Sequence, residues 1–187
     1  GTFGLIAVAR LEWIKFSSGS PEKIAREYRR VGNPEYTSLH LDHIPVIDED
    51  QLKVDYLSDI SRALDSGYSS VMIDGSRLGL NENIKAVREV VEMAHKVNVP
   101  VEAELGAVMG HEEGGLPDYD ELFESGKGFT DIKEAQEFVK ETDVDWLSVA
   151  VGSVHGAITT AARQQKKVTA RLNIDHLEKL NEKLNIP

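Results

Sequence analysis

Short β-rich runs alternate with longer amphipathic segments along this chain, and that alternation builds parallel sheets through βαβ crossovers. The strand candidates are Glu12–Ser17, Tyr36–Leu41, Ser69–Asp74, Val99–Leu105 and Trp146–Val151. Four of these runs are mostly apolar on both faces, as a buried parallel strand must be. Helices are expected between them. Pro21 behind Ser20 is a proline at the first helical position after a capping residue, and it opens a segment running to about Arg30. Leu52, Tyr56, Ile60, Ala63 and Leu64 recur at helical spacing between Asp50 and Ser66, with Gly67 as the C-terminal cap. Ile84, Val87, Val90, Val91 and Ala94 repeat the stripe over Asn83 to Val97. Thr130, with Asp131 in the first turn, is expected to cap Ile132 to Glu141, and Asn173 to cap Ile174 to Leu184. Two long connections, Gly106 to Phe129 and Val154 to Arg171, interrupt the rhythm. Both follow the C-terminal ends of strands, the edge at which barrels and open α/β sheets place their chemistry.

Composition narrows the function classes. A length of 187 residues fits one domain, and 41% hydrophobic with 28% charged residues is ordinary globular usage, enough to bury a core. Lys plus Arg number 21 against 32 Asp plus Glu, a formal charge of −11. Such a chain is repelled by phosphate backbones and anionic headgroups, so neither nucleic acid nor a membrane surface is expected as a partner. The absence of Cys excludes disulfides, Cys zinc sites and thiol nucleophiles, and it accords with a reducing compartment. No stretch approaches the ~18 uninterrupted apolar residues of a membrane span, and the first ten residues lack the basic start of a signal peptide. A soluble, cytoplasmic protein is expected.

The polar residues at the strand ends carry the chemistry. Strand Tyr36–Leu41 runs into Asp42-His43, and strand Ser69–Ile73 ends in Asp74-Gly75-Ser76. Strand Val99–Leu105 holds Glu102 and Glu104 two apart, hence on one face. Strand Trp146–Val151 runs into Gly152-Ser153-Val154-His155-Gly156. Each strand thus delivers a carboxylate or an imidazole to the same edge. Histidine is the commonest neutral metal ligand, and a neighbouring carboxylate can orient it, replace it or carry a proton. Taken singly, each residue has a plainer reading: a hydrogen-bonded structural His, an Asp capping the next helix, an interior ion pair for Glu102 or Glu104, a tight turn for Gly152 and Gly156. Four strands agreeing favours a metal-dependent barrel enzyme. His40, His95, His111 and His176 lack that support, and His95 and His176 read as helix-surface residues.

These same residues resemble the class II, zinc-dependent, fructose-1,6-bisphosphate aldolases and their tagatose-bisphosphate and other ketose-bisphosphate relatives. Leu39-His40-Leu41-Asp42-His43 is similar to the first signature of that family, and Val71 to Ser76 with Glu82-Asn83-Ile84 to its second block. Val101-Glu102-Ala103-Glu104-Leu105-Gly106, with Gly110 and Glu112 at the family spacing, resembles the second signature. Phe129-Thr130-Asp131 leading to Glu137-Phe138-Val139, and the stretch Val151 to Gly156, continue the likeness across roughly Glu12 to Pro187. Carried over residue by residue, the resemblance implies zinc ligands at His43 and His155, with Asp74 and Glu104 beside the metal or at an alternative metal position. It implies that Asp42 handles the proton of the C4 hydroxyl and that Glu112, neighboured by Glu113, serves the enediolate carbon. Ser17 resembles a substrate-contacting serine, while Gly152, Ser153 and Gly156 resemble a loop that binds phosphate and a monovalent cation.

The implied fold is a single-domain (β/α)8 TIM barrel, here incomplete: most of the first βα unit and the last two are expected to be lacking. Gly1-Thr2-Phe3 resembles the end of a first barrel strand, and Gly4 to Arg10 is too short for a full helix and return. The third zinc histidine of the family would lie beyond Pro187. Ile44-Pro45 stands where the family has a small residue, an insertion through Lys53 follows, and the stretch after His155 is longer than usual. The implied activity is reversible cleavage of a ketose 1,6-bisphosphate, fructose 1,6-bisphosphate first, into dihydroxyacetone phosphate and glyceraldehyde 3-phosphate by a homo-oligomer (dimer or tetramer). Tagatose bisphosphate, a deoxy-ketogluconate phosphate or another phosphorylated ketose is the alternative substrate, and a non-catalytic barrel partner subunit the rival reading.

Overall fold

A computed structural model describes residues 2–106, 119–126, 128–152 and 171–187. Five parallel strands form one sheet in sequential order: β1 (Gly4–Ala9), β2 (Thr37–Pro45), β3 (Ser70–Asp74), β4 (Val101–Leu105) and β5 (Trp146–Val149). The strand order never reverses, so every crossover steps the same way. Because such crossovers are right-handed, they place the helices on one face and leave the other to become a barrel interior. The described elements therefore make a half-barrel. No helix among the described residues is long and apolar enough to cross a membrane.

The helical layer consists of α1 (Leu11–Ile14), α2 (Pro21–Val31), α3 (Tyr56–Asp65), α4 (Leu80–His95), α5 (Tyr119–Ser125), α6 (Ile132–Thr142) and α7 (Ile174–Leu184). Pro21 stands at the start of α2, where the Ser20 hydroxyl accepts from the Lys23 amide, as the sequence suggests. Alternate strand residues Leu39, Leu41, Val71, Ile73, Val101 and Ala103 are essentially inaccessible. They pack in one cluster with Ile60 and Ala63 of α3, Val87, Val90 and Ala94 of α4, and Phe138 of α6. The intervening strand positions, His40, Asp42, Ser70, Asp74, Glu102 and Glu104, face the barrel side. The core lies between sheet and helices, and the sheet's other face carries the polar residues among a few apolar ones such as Met72 and Trp146.

Several expected boundaries move. Glu12–Ser17 is not a strand: Leu11–Ile14 is a helical turn, and the first strand is Gly4–Ala9 rather than the end of one at Gly1-Thr2-Phe3. β1 runs in unbroken register from Gly4 opposite Thr37 to Ala9 opposite Asp42. Helix α3 starts at Tyr56, not Asp50, because the Asp55 carboxylate caps it through the Ser58 amide. The residues before it close a small antiparallel bridge between Ile47 and Lys53. Helix α4 begins at Leu80, three residues before Asn83. Asp131, not Thr130, caps α6, accepting from the amides of Lys133 and Glu134. Gly67 follows α3 with φ +83°, the left-handed geometry of a helix terminator.

Candidate metal and acid/base site

Asp42 and His43 lie inside β2, not after it, and adjacent residues of a regular strand point to opposite faces. A bulge resolves the conflict. Leu41 stands opposite Val71 and Ile44 opposite Ile73, so three steps on β2 match two on β3. His43 takes up the extra residue with φ +50° in the left-handed region, an uncommon geometry for a non-glycine residue. The bulge therefore aims His43 at the barrel side along with Asp42. Pro45, which cannot donate to a ladder, ends the strand next to it.

On that side His43, Asp74 and Glu104 converge. The His43 Nε2 atom is 3.5 Å from Asp74 Oδ2, and its Nδ1 is 3.8 Å from Glu104 Oε2. One donor atom from each of the three lies within 4.8 Å of the others. The Asp74 and Glu104 side chains are only 4% and 11% exposed, whereas His43 opens to the surface at 33%. Burial first, and then the charges of Asp74, Glu102 and Asp42, push the Glu104 carboxyl up to about 7. Crowded, buried carboxylates beside an imidazole form a donor set that a divalent cation would neutralise. Zinc binds imidazole nitrogen and carboxylate oxygen at ~2.0–2.2 Å, which places ligand atoms within about 4.4 Å of one another, so these residues fit it with small adjustment.

Neighbouring groups fix the ligand-bearing edges. The Ser76 amide donates to Asp74 Oδ1 at 2.8 Å, and buried Asn83 donates through Nδ2 to the Glu104 carbonyl at 3.1 Å. Asn83 packs so tightly over Gly75 that a Cβ there would come within 2.1 Å of its Oδ1. Thr130 performs the same task on the other side: its hydroxyl donates to the Leu105 carbonyl at 2.7 Å and accepts from the Ala150 amide at 2.8 Å. Gly106, at φ +129°, leaves room for that hydroxyl. Beneath Asp42, buried His40 contacts the Ser70 hydroxyl through Nδ1 at 2.8 Å.

The expected site residues sort into groups. Asp42, His43, Asp74 and Glu104 come together at one edge. Gly152 lies three residues past the end of β5 with φ +108°, and a Cβ there would meet the Arg171 carbonyl at 2.6 Å, so packing alone requires glycine. Ser17 stands in the exposed loop after α1, outside the His43 cluster. Glu112, Glu113, Ser153, His155 and Gly156 lie outside the described residues. Two histidines expected on helix surfaces have structural partners: His95 Nε2 lies 2.9 Å from Asp145 Oδ2, and His176 Nε2 donates to the Thr130 carbonyl at 2.8 Å. Sequence reasoning passed over His40 and Asn83. His40 carried a usable signal, because at two positions before Asp42 it must share Asp42's face.

The comparisons decide the family. The model of class II fructose-bisphosphate aldolase matches residues 12–187. The chain belongs to the class II fructose-bisphosphate aldolase family. It is 37% identical over 149 residues to a 6-phospho-5-dehydro-2-deoxy-D-gluconate aldolase of Shouchella clausii, and 35% identical over 150 residues to a fructose-bisphosphate aldolase of Helicobacter pylori. Each match takes in 80% of this chain and 42% of the relative, so the chain spans less than half the length of these relatives. The crystal structure of the YdjI aldolase from Escherichia coli K12 superposes on the whole chain with TM-score 0.68 at 23% identity, covering 56% of that protein. The fructose-bisphosphate aldolase of Campylobacter jejuni superposes on 97% of it with TM-score 0.64 at 17% identity, covering 52% of that protein. Both show the barrel fold, of which the five strands are part.

Proposed function

We propose that the protein carrying this sequence is a zinc-dependent aldolase that reversibly cleaves a ketose 1,6-bisphosphate, fructose 1,6-bisphosphate foremost, into dihydroxyacetone phosphate and glyceraldehyde 3-phosphate. The observation that carries the reading is the convergence of His43, Asp74 and Glu104 beside Asp42 at the C-terminal edge of the sheet. His43, with His155 from beyond β5, would hold the metal, and Asp74 and Glu104 stand beside it. Zinc bound there would supply a Lewis acid to polarise the substrate ketone. Asp42 then takes the proton from the C4 hydroxyl as the C3–C4 bond breaks, its electron pair remaining on C3. Glu112 returns a proton to that carbon to complete dihydroxyacetone phosphate. Ser17, Gly152, Ser153 and Gly156 would hold the phosphorylated ends, with a monovalent cation at the phosphate loop. We propose a cytoplasmic homo-oligomer.

A second substrate has a specific observation in its favour. The Shouchella clausii relative is named for 6-phospho-5-dehydro-2-deoxy-D-gluconate, and in this chain an antiparallel bridge between Ile47 and Lys53 follows the strand that carries His43. The test is elemental analysis of purified full-length protein, with product identification from each phosphorylated ketose in turn. Zinc near one per chain and dihydroxyacetone phosphate from fructose 1,6-bisphosphate support the first substrate. Release of product only from the deoxygluconate phosphate transfers the assignment, and a metal-free protein inert toward both would leave the non-catalytic reading standing.

A further inference from the structure

Beneath the edge that carries Asp42 and His43 lies a second polar group that the proposed chemistry leaves unused. His40 is 2% exposed, one strand layer below Asp42, and packs near the Trp146 ring at 6.3 Å between centroids. Its Nδ1 meets the Ser70 hydroxyl at 2.8 Å. Its Nε2 has no hydrogen-bond partner among the described residues, yet it points between two carboxylates, 3.5 Å from Glu102 Oε2 and 3.9 Å from Asp42 Oδ1. A bare nitrogen lone pair facing two anions would be repelled, so the proton belongs on Nε2, which makes the Ser70 hydroxyl the donor to Nδ1. The Asp42 side chain is 39% exposed, and a movement of about 1 Å would bring it to the length of a charge-assisted hydrogen bond.

We infer that His40, held in its Nε2–H tautomer by Ser70, is a positioning residue that donates to the Asp42 carboxylate and aims its other oxygen at the substrate hydroxyl. No proton leaves His40. Glu102 Oε2 is the nearer carboxylate at 3.5 Å but accepts no hydrogen bond from the ring, so the Nε2–H gains its first partner as Asp42 swings inward. A carboxylate fixed this way keeps one lone pair towards the reacting proton, which matters for cleavage and not for proton exchange at C3. This inference rests on the aldolase reading, and its test has one arm that does not depend on activity.

That arm is nitrogen-15 NMR of the imidazoles of full-length protein, with His40→Gln assigning the His40 signals. A proton on Nε2, shifted towards the Nδ1 form in Ser70→Ala, supports the proposal; a proton on Nδ1 in the native protein overturns it. In the kinetic arm, His40→Ala should lower kcat for fructose 1,6-bisphosphate cleavage ~10- to 100-fold with KM changed less than ~3-fold. Zinc content and hydrogen exchange into dihydroxyacetone phosphate should stay near native. His40→Gln, whose amide can donate from the Nε2 position, should recover part of the cleavage rate. Loss of zinc or an equal fall in exchange and cleavage would make His40 merely structural and overturn the proposal. The Asp42→Ala control separates the two ideas: if it slows exchange as much as cleavage, the assignment of Asp42 itself fails, whereas selective loss in Asp42→Ala with native rates in His40→Ala sinks only the role of His40.

Discussion

At the scale of single residues, the site is a problem in placing negative charge. Glu104 carries it most acutely, since burial and three neighbouring carboxylates favour its protonated form. Its folded value near 7 lies above the ordinary 4.5, so the stability conferred by protonation is complete below about 4.5 and is lost as pH rises through 7. Metal-free protein should therefore melt at lower temperature at pH 8 than at pH 5. Glu104→Gln should flatten that slope and stabilise the metal-free protein at pH 8 by on the order of 3 kcal/mol, while weakening zinc retention. Parallel melting curves of chelated native and variant protein, followed by zinc titration, check both halves. A destabilised variant at pH 8 would mean that Glu104 is held by attraction rather than by crowding. His40 is subject to the opposite sense: burial pulls its imidazole down, against the pull of Asp42, and keeps it neutral as a donor.

At the scale of elements, the bulge in β2 and the caps of the helices decide where those residues point. His43 occupies a left-handed backbone that glycine tolerates more readily. His43→Gly should consequently preserve stability to within ~1 kcal/mol while abolishing metal retention, whereas His43→Val, with a β-branched side chain at φ +50°, should cost an additional ~1–2 kcal/mol. Thermal melts in chelator alongside zinc analysis separate the backbone cost from the lost ligand. On the outer layer, Arg62 of α3 reaches Glu22 of α2 at 2.7 Å and holds that carboxyl down to about 2. Both side chains are more than two-fifths exposed, so solvent screens the pair and Arg62→Ala should cost under ~1 kcal/mol at pH 7. Because the folded value is depressed, that contribution is present above about 4.5 and fades as pH falls towards 2. Urea melts at pH 7 and pH 3 should show the native advantage shrinking at the lower value.

At the scale of the molecule, the described strands leave two open edges. β1 exposes Leu5 at 46% and Ile6 at 45% along a free parallel edge, and the groove between β1 and α2, about 530 Å³, is lined largely by Ile6, Ile24, Tyr28, Val31 and Leu39. Apolar strand edges recruit other strands. A polypeptide made of these 187 residues alone should associate concentration-dependently in light scattering, and Ile6→Lys should reduce that association without lowering helical circular dichroism. Monodisperse native polypeptide at high concentration would show that the edge is already protected.

The amino-acid order by itself determined the βα rhythm, because buried parallel strands and amphipathic helices leave different hydrophobic periods. Ser69–Asp74 against Ser70–Asp74, and Ile174–Leu184 unchanged, show how well it did where those periods were clean. It also brought Asp42, His43, Asp74 and Glu104 to one edge, since polar residues closing successive parallel strands share the end of the sheet. Local pattern misled at Glu12–Ser17, where a run of only six mixed residues is too short to separate the two periods and only contacts with neighbouring elements choose between them. The bulge at His43, the descent of His40 to a buried layer facing two carboxylates, and the seating of Asn83 over Gly75 were decided by tertiary structure. Each depends on the register between strands about thirty residues apart or on a helix closing over them, and no local period encodes such a distance.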